Sequence, residues 1–81
     1  VLKVSVVSPE RVLFEGEARS VVAPAYDGLV GVLPRHAPML TLLGEGRLVI
    51  RGVEEERALH VAGGFVQVNR DVVRVVAERA G

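Results

Sequence analysis

The strongest constraint on this chain is a period of two, written mostly in valine. In Leu2 to Val7, residues Leu2, Val4 and Val6 fall on one side while Lys3 and Ser5 fall on the other. Side chains alternate between faces only in an extended strand, so this pattern specifies β structure with one face inward. The same alternation recurs three times. It puts Leu48 and Ile50 inward in "RLVIR", sets Arg57, Leu59 and Val61 against Ala58 and His60, and sets Val73, Val75 and Ala77 against Val72, Arg74 and Val76. Valine's branched Cβ suits a pleated surface and loses rotamer freedom in a helix. Only Glu55 to Ala62 admits a helical reading, and Gly63-Gly64 closes it after barely two turns.

Turn chemistry separates these runs at short, even spacing. Ser8-Pro9, Gly16, Asp27-Gly28, Pro34 to Pro38, Gly44-Glu45-Gly46, Gly52 with Glu54-Glu55-Glu56, Gly63-Gly64 and Asn69-Arg70-Asp71 fall between apolar stretches. Short strands punctuated this way predict an all-β, two-layer sandwich of about ten short strands. The 81 residues are read as one domain, residues 1–81. A chain of this size buries only about 60% of the surface it exposes when unfolded, so its core is thin. Two runs, "GVLPRHAPMLTLL" and "VVRVVA", carry apolar residues at consecutive positions. Strands apolar on both faces need cover on both, and a two-layer sandwich supplies it on one. An outside partner is expected on the other.

Composition narrows the function. The 10 basic and 10 acidic side chains cancel, and the basic ones are scattered. A nucleic-acid binder needs a basic stripe or a stacking platform, and the aromatic residues are only Phe14, Tyr26 and Phe65. The absence of cysteine removes disulfides and thiolate metal sites and fits a reducing compartment. No apolar run approaches the ~20 residues of a membrane-spanning helix. The serines and the histidines His36 and His60 lie in no nucleophile turn, no phosphate-cradling glycine loop occurs, and no ligand set for a metal is spelled out. The loop Pro34-Arg35-His36-Ala37-Pro38 stands out instead. Its prolines restrict the backbone on both sides of a cationic pair, which suits either a preorganised docking knuckle or a rigid crossover between strands.

Taken in order, "VSPERVLFEGEARSVVAP", "DGLVGVLPRHAPMLTLL", "GEGRLVI" and "LHVAGGFVQVNRDVVRVVAE" resemble the ε subunit of F-type ATP synthases, the δ subunit of mitochondria. Of the family run Asp-Gly-Glu-Phe-Gly-Val-Leu-Pro-Gly-His-Ala-Pro, the chain keeps Asp27, Gly28, Gly31, Val32, Leu33, Pro34, His36, Ala37 and Pro38. The later Gly-Gly-Phe signature is matched by Gly63, Gly64, Phe65, Val66 and Val68.

The resemblance implies a flattened β-sandwich in a non-catalytic rotor subunit that binds γ and contacts the c-ring, coupling ion translocation to ATP synthesis. It implies a peripheral position on the cytoplasmic face of the bacterial inner membrane, reached only through the complex, and no cofactor. Tyr26, Asp27, Gly28, Leu29, Arg35 and His36 are the residues it turns toward the c-ring, and Ser8, Val72 and Val73 toward γ.

Leu29, Val30 and Arg35 depart from the family's Glu, Phe and Gly, and Ala25 stands where Gly is usual. The family's C-terminal helical hairpin, which in some members binds ATP, has no counterpart after Glu78, so no ATP binding is expected of these residues. The alternative reading is a free-standing β-sandwich binding module with an unrelated partner. A small hydrolase using His36 or His60 is the remoter one.

Overall fold

Each alternating run becomes a strand. A computed structural model describes residues 1–80. It contains β1 (Leu2–Val7), β2 (Val12–Ala18), β3 (Ser20–Ala25), β4 (Gly28–Val32), β5 (Met39–Leu42), β6 (Glu45–Arg51), β7 (Glu56–Asn69) and β8 (Val72–Ala80). Neighbouring strands pair in the order β2-β1-β8-β7-β6-β3-β4, and β5 also pairs with β7. All pairings are antiparallel except β1 with β8.

Eight strands form among the described residues where about ten were expected. Part of the difference lies in β7, which runs through Gly63-Gly64 for 14 residues instead of stopping there. Its first half pairs with β6, from Glu56 opposite Arg51 to Ala62 opposite Glu45. Its second half pairs with β5, from Phe65 opposite Leu42 to Val68 opposite Met39. The register is the same on both sides of Leu43-Gly44, so β5 and β6 act as one arm of a long hairpin with β7.

Gly63 and Gly64 make this continuity possible. Their φ angles are +74° and +105°, values that L side chains rarely adopt. A Cβ on Gly64 would run into the Val76 carbonyl oxygen of β8. The backbones approach too closely there for any side chain.

The long sheet folds over onto itself, which is what makes two layers. Buried residues of β1 and β8 (Leu2, Val4, Val6, Val73, Val75) share one apolar cluster with those of β3, β4 and β6 (Val21, Ala23, Val32, Leu48, Ile50). Strands separated along the pairing order meet in one core only if the sheet closes back. Every residue that the alternation placed inward on β1, β6 and β8 is at most 2% exposed. Of two pairs of adjacent valines, Val21 and Val73 face in, while Val22 is half-buried and Val72 is exposed.

Candidate docking surfaces

The proline loop is a type II turn locked to a neighbouring hairpin. The His36 backbone N–H donates to the Leu33 carbonyl at 3.2 Å, with Pro34 and Arg35 at the two central positions. A type II turn wants φ near −65° at the first of these, which proline supplies, and positive φ at the second. Arg35 accordingly sits at φ 69°, the position where the resembling family has glycine. Holding a β-carbon there costs about 1–2 kcal/mol.

Part of that cost is offset from outside the loop. The Arg35 N–H donates to the Asp71 carboxylate at 2.7 Å. Asp71 and Arg70 themselves form the two-residue β7–β8 turn with φ 62° and 49°, the left-handed pair of a type I′ hairpin. The His36 ring donates from Nδ1 to the Ala37 carbonyl at 2.7 Å. The loop is thus hydrogen-bonded both within itself and to the β7–β8 turn, an anchor that lies far away in sequence.

The six residues expected on one c-ring-facing end do not come together. Tyr26 and Asp27 form the β3–β4 turn, with Gly28 and Leu29 beginning β4, whereas Arg35 and His36 follow its far end. An extended strand from Gly28 to Val32 separates its ends by roughly 13 Å. Tyr26 hydrogen-bonds toward the end of β5, its N–H donating to the Leu42 carbonyl. Arg35 lies against the β7–β8 turn. They define two surfaces, one at each end of β4.

The γ-facing set is also divided. Val73 has no solvent exposure, since it is an inward residue of β8 and so has no surface to offer a partner. Val72 is 40% exposed and pairs with Lys3 near the start of β1. Ser8 follows the other end of that strand, roughly 17 Å along the chain direction, where its hydroxyl donates to the Arg11 carbonyl. Ser8 and Val72 remain at the surface at opposite ends of β1.

What the fold does assemble is an apolar row running across the strands. Leu42 pairs with Phe65, Phe65 with Val76, Val76 with Val7, and Val7 with Val12. Paired residues share a face, and neighbouring strands are about 4.8 Å apart, so the row extends roughly 19 Å over the outer face of one layer. Its two ends are the most open, Leu42 at 61% and Val12 at 59% exposed; Phe65, Val76 and Val7 are half-buried. The parallel row beside it, Leu40, Gln67, Arg74, Ser5 and Glu15, is largely polar. Together Leu40, Thr41, Leu42, Phe65 and Gln67 line a shallow groove at one end.

The doubled apolar runs signalled this outer face. The contributions of Val7, Val12 and Phe65 were not visible, because a row across five strands exists only once they are paired.

Such a molecule is a small β-sandwich domain with an apolar strip on one outer face and a locked turn at one end. Residues 1–81 match the family model described as the ATP synthase, Delta/Epsilon chain, beta-sandwich domain. The chain is 43% identical over 77 residues to the ATP synthase epsilon chain of Leptospira interrogans, covering 95% of this chain and 61% of that one. With the epsilon chain of Halorhodospira halophila it shares 46% over 81 residues, covering 98% and 57%. It thus spans about three-fifths of the length of these curated relatives.

The fold is also that of a chain in the Euglena gracilis mitochondrial ATP synthase structure of OSCP, F1 and c-ring, with TM-score 0.90 at 20% identity, covering 99% of this chain and 52% of that one. A chain of the Tetrahymena thermophila central stalk and c-ring structure gives TM-score 0.82 at 18% identity, covering 99% and 65%. This chain belongs to the ATP synthase delta/epsilon family, as its β-sandwich domain.

Proposed function

We propose that this domain works as a rigid, non-catalytic coupling piece in the rotor of an F-type ATP synthase, docked on the γ subunit and touching the c-ring. It would sit at the cytoplasmic face of the bacterial inner membrane, held there by its complex. Family membership supports the assembly, and the apolar row from Leu42 to Val12 is the observation that carries the docking role. A folded domain leaves such a strip to water only at a cost of about 25 cal/mol per Å² of apolar surface. A long helical partner laid across the strands would cover it along its length.

The end of β4 carrying Tyr26 and Leu29, at 68% and 76% exposed, is the surface assigned to the ring. Leu29 makes that contact apolar. Arg35 and His36, at the opposite end, are assigned away from it. Torque passes through the piece because both ends are tied into one core by short turns.

The test is binding to the purified γ subunit of the same complex. Leu42→Glu puts a charge in the row without touching the core and should weaken binding at least tenfold, while Arg35→Ala should leave it nearly unchanged. Unaltered affinity in Leu42→Glu, with the fold intact by circular dichroism, would defeat the assignment of this face.

A further inference from the structure

We propose that the open edge of β4 pairs with the β4 edge of a second copy of this chain, antiparallel and about a two-fold axis through Val30. The inference comes from strand geometry and does not rest on the rotor reading.

β4 ends the pairing order, and among the described residues it is hydrogen-bonded only to β3. The other terminal strand, β2, is protected in the usual ways. It carries Glu15 and Glu17, and its pairing with β1 is interrupted by a bulge at Val6/Val7. Charge and bulges are what keep sheet edges from joining. β4 has neither: Gly28-Leu29-Val30-Gly31-Val32 contains no charge and no proline, and its register with β3 is unbroken. Leu29 is 76% exposed, and Tyr26 and Leu33 flank the strand at 68% and 62%.

The hydrogen-bonding phase determines which groups are free. Pro24 opposes Leu29, and the Pro24 carbonyl accepts from Gly44 N–H at 2.8 Å, on the side away from β4. Leu29 is therefore in a non-hydrogen-bonded pair, and so is Gly31, two residues on. The N–H and C=O groups of both Leu29 and Gly31 point out of the sheet, toward solvent.

An antiparallel second copy satisfies all of them at once. With Val30 opposite Val30, each Leu29 faces Gly31 of the other copy and exchanges both backbone bonds with it. The side chains complement each other as well. Leu29 would lie beside Gly31 of the second copy, and space around Gly31 is open, with no atom within 4 Å of where its Cβ would stand. The half-buried Val30 residues would meet in the close, non-hydrogen-bonded position. A one-residue slip would break the bonding phase, and a two-residue slip, which restores it, would set Leu29 against Leu29 or Gly31 against Gly31 and lose the Leu-over-Gly fit.

The contact is short, below the ~1,200 Å² of a standard interface, so the dimer should be weak and reversible. Sedimentation equilibrium of the 81-residue chain should show a concentration-dependent monomer–dimer exchange. Leu29→Lys, a fully surface change, should weaken it at least tenfold. Leu42→Lys, in the outer-face row, should leave it intact.

Register is tested by Val30→Cys, unambiguous because the chain has no other cysteine. Non-hydrogen-bonded pairs bring Cα atoms to about 4.5 Å, within disulfide reach. Mild oxidation should then yield a covalent dimer, and adding Leu29→Lys should suppress it. A chain that stays monomeric to millimolar concentration overturns the proposal. So does a dimer sensitive to Leu42→Lys but not to Leu29→Lys, which would place the contact on the sheet face.

Discussion

Alanine at three glycines should separate conformational strain from steric exclusion within one domain. Gly64→Ala is the decisive variant. Its φ of +105° costs an L residue about 1–3 kcal/mol. The added methyl also meets backbone, the Val76 carbonyl and the Ala77 Cα at 3.1 Å. Since no side chain can swing aside, β8 must shift and loosen its ladder to β7, a repacking of about 1–3 kcal/mol. Restricting the unfolded chain returns about 0.4–1 kcal/mol. The net loss is about 1–6 kcal/mol, against a total stability of about 4–12 kcal/mol for a domain of this length.

Gly63→Ala should cost less, about 1–2 kcal/mol. Its φ of +74° lies in the milder left-handed region, and its nearest obstruction is the mobile end of Glu78. Gly31→Ala should be neutral or stabilising by up to about 1 kcal/mol, since nothing lies within 4 Å of the new methyl. Urea unfolding followed by far-ultraviolet circular dichroism gives all three midpoints. The reasoning fails if Gly64→Ala lies within about 1 kcal/mol of the parent, or if the order of Gly63 and Gly64 is reversed.

Ile50→Ala, at 1% exposure in the shared core, should cost about 2–5 kcal/mol in the same titration, while Leu40→Ala on the outer face should change it by less than about 0.5 kcal/mol. Asp71→Ala removes the acceptor for Arg35 N–H and puts alanine at φ 62°, a loss of about 1–3 kcal/mol. Asp71→Asn keeps an acceptor oxygen and tolerates the left-handed backbone, so it should be spared; equal losses in the two would remove the anchoring role. Amide exchange at Arg35 should accelerate in Asp71→Ala and stay slow in Asp71→Asn. Breaking the Arg51–Glu56 pair at the base of the Gly52–Glu55 turn, 3.1 Å apart and well exposed, should cost no more than about 1 kcal/mol by double-mutant cycle.

Most of the fold was legible because strand chemistry acts locally. Alternation at Leu2, Val4 and Val6, or at Val73, Val75 and Ala77, follows from opposite Cβ directions at successive residues, and all six proved buried. Doubled apolar residues mark strands with a second bare face where they fall in β8, whose Val73 is buried while Val72 is exposed and Val76 half-buried. The strand count was less legible: a Gly-Gly pair marks a turn and a close backbone crossing with the same letters. Only β8 lying against Gly64 shows which it is here.

The candidate sites fared worse, for a geometric reason. Tyr26 and Arg35 are near in sequence, yet the strand between them is extended and carries them apart. Arg35 and Asp71 are far apart in sequence, yet strand pairing joins them. Val72 and Val73 are adjacent, and only one has a surface.

The order of the residues thus determined that this chain is β throughout, which side of most strands turns inward, and where the backbone reverses, since each depends on a residue and its immediate neighbours. Tertiary structure alone decided which ends meet, which apolar residues line up across strands, and which strands lie at the sheet's edges. Those follow from pairing between distant segments, and no local stretch of sequence contains that information.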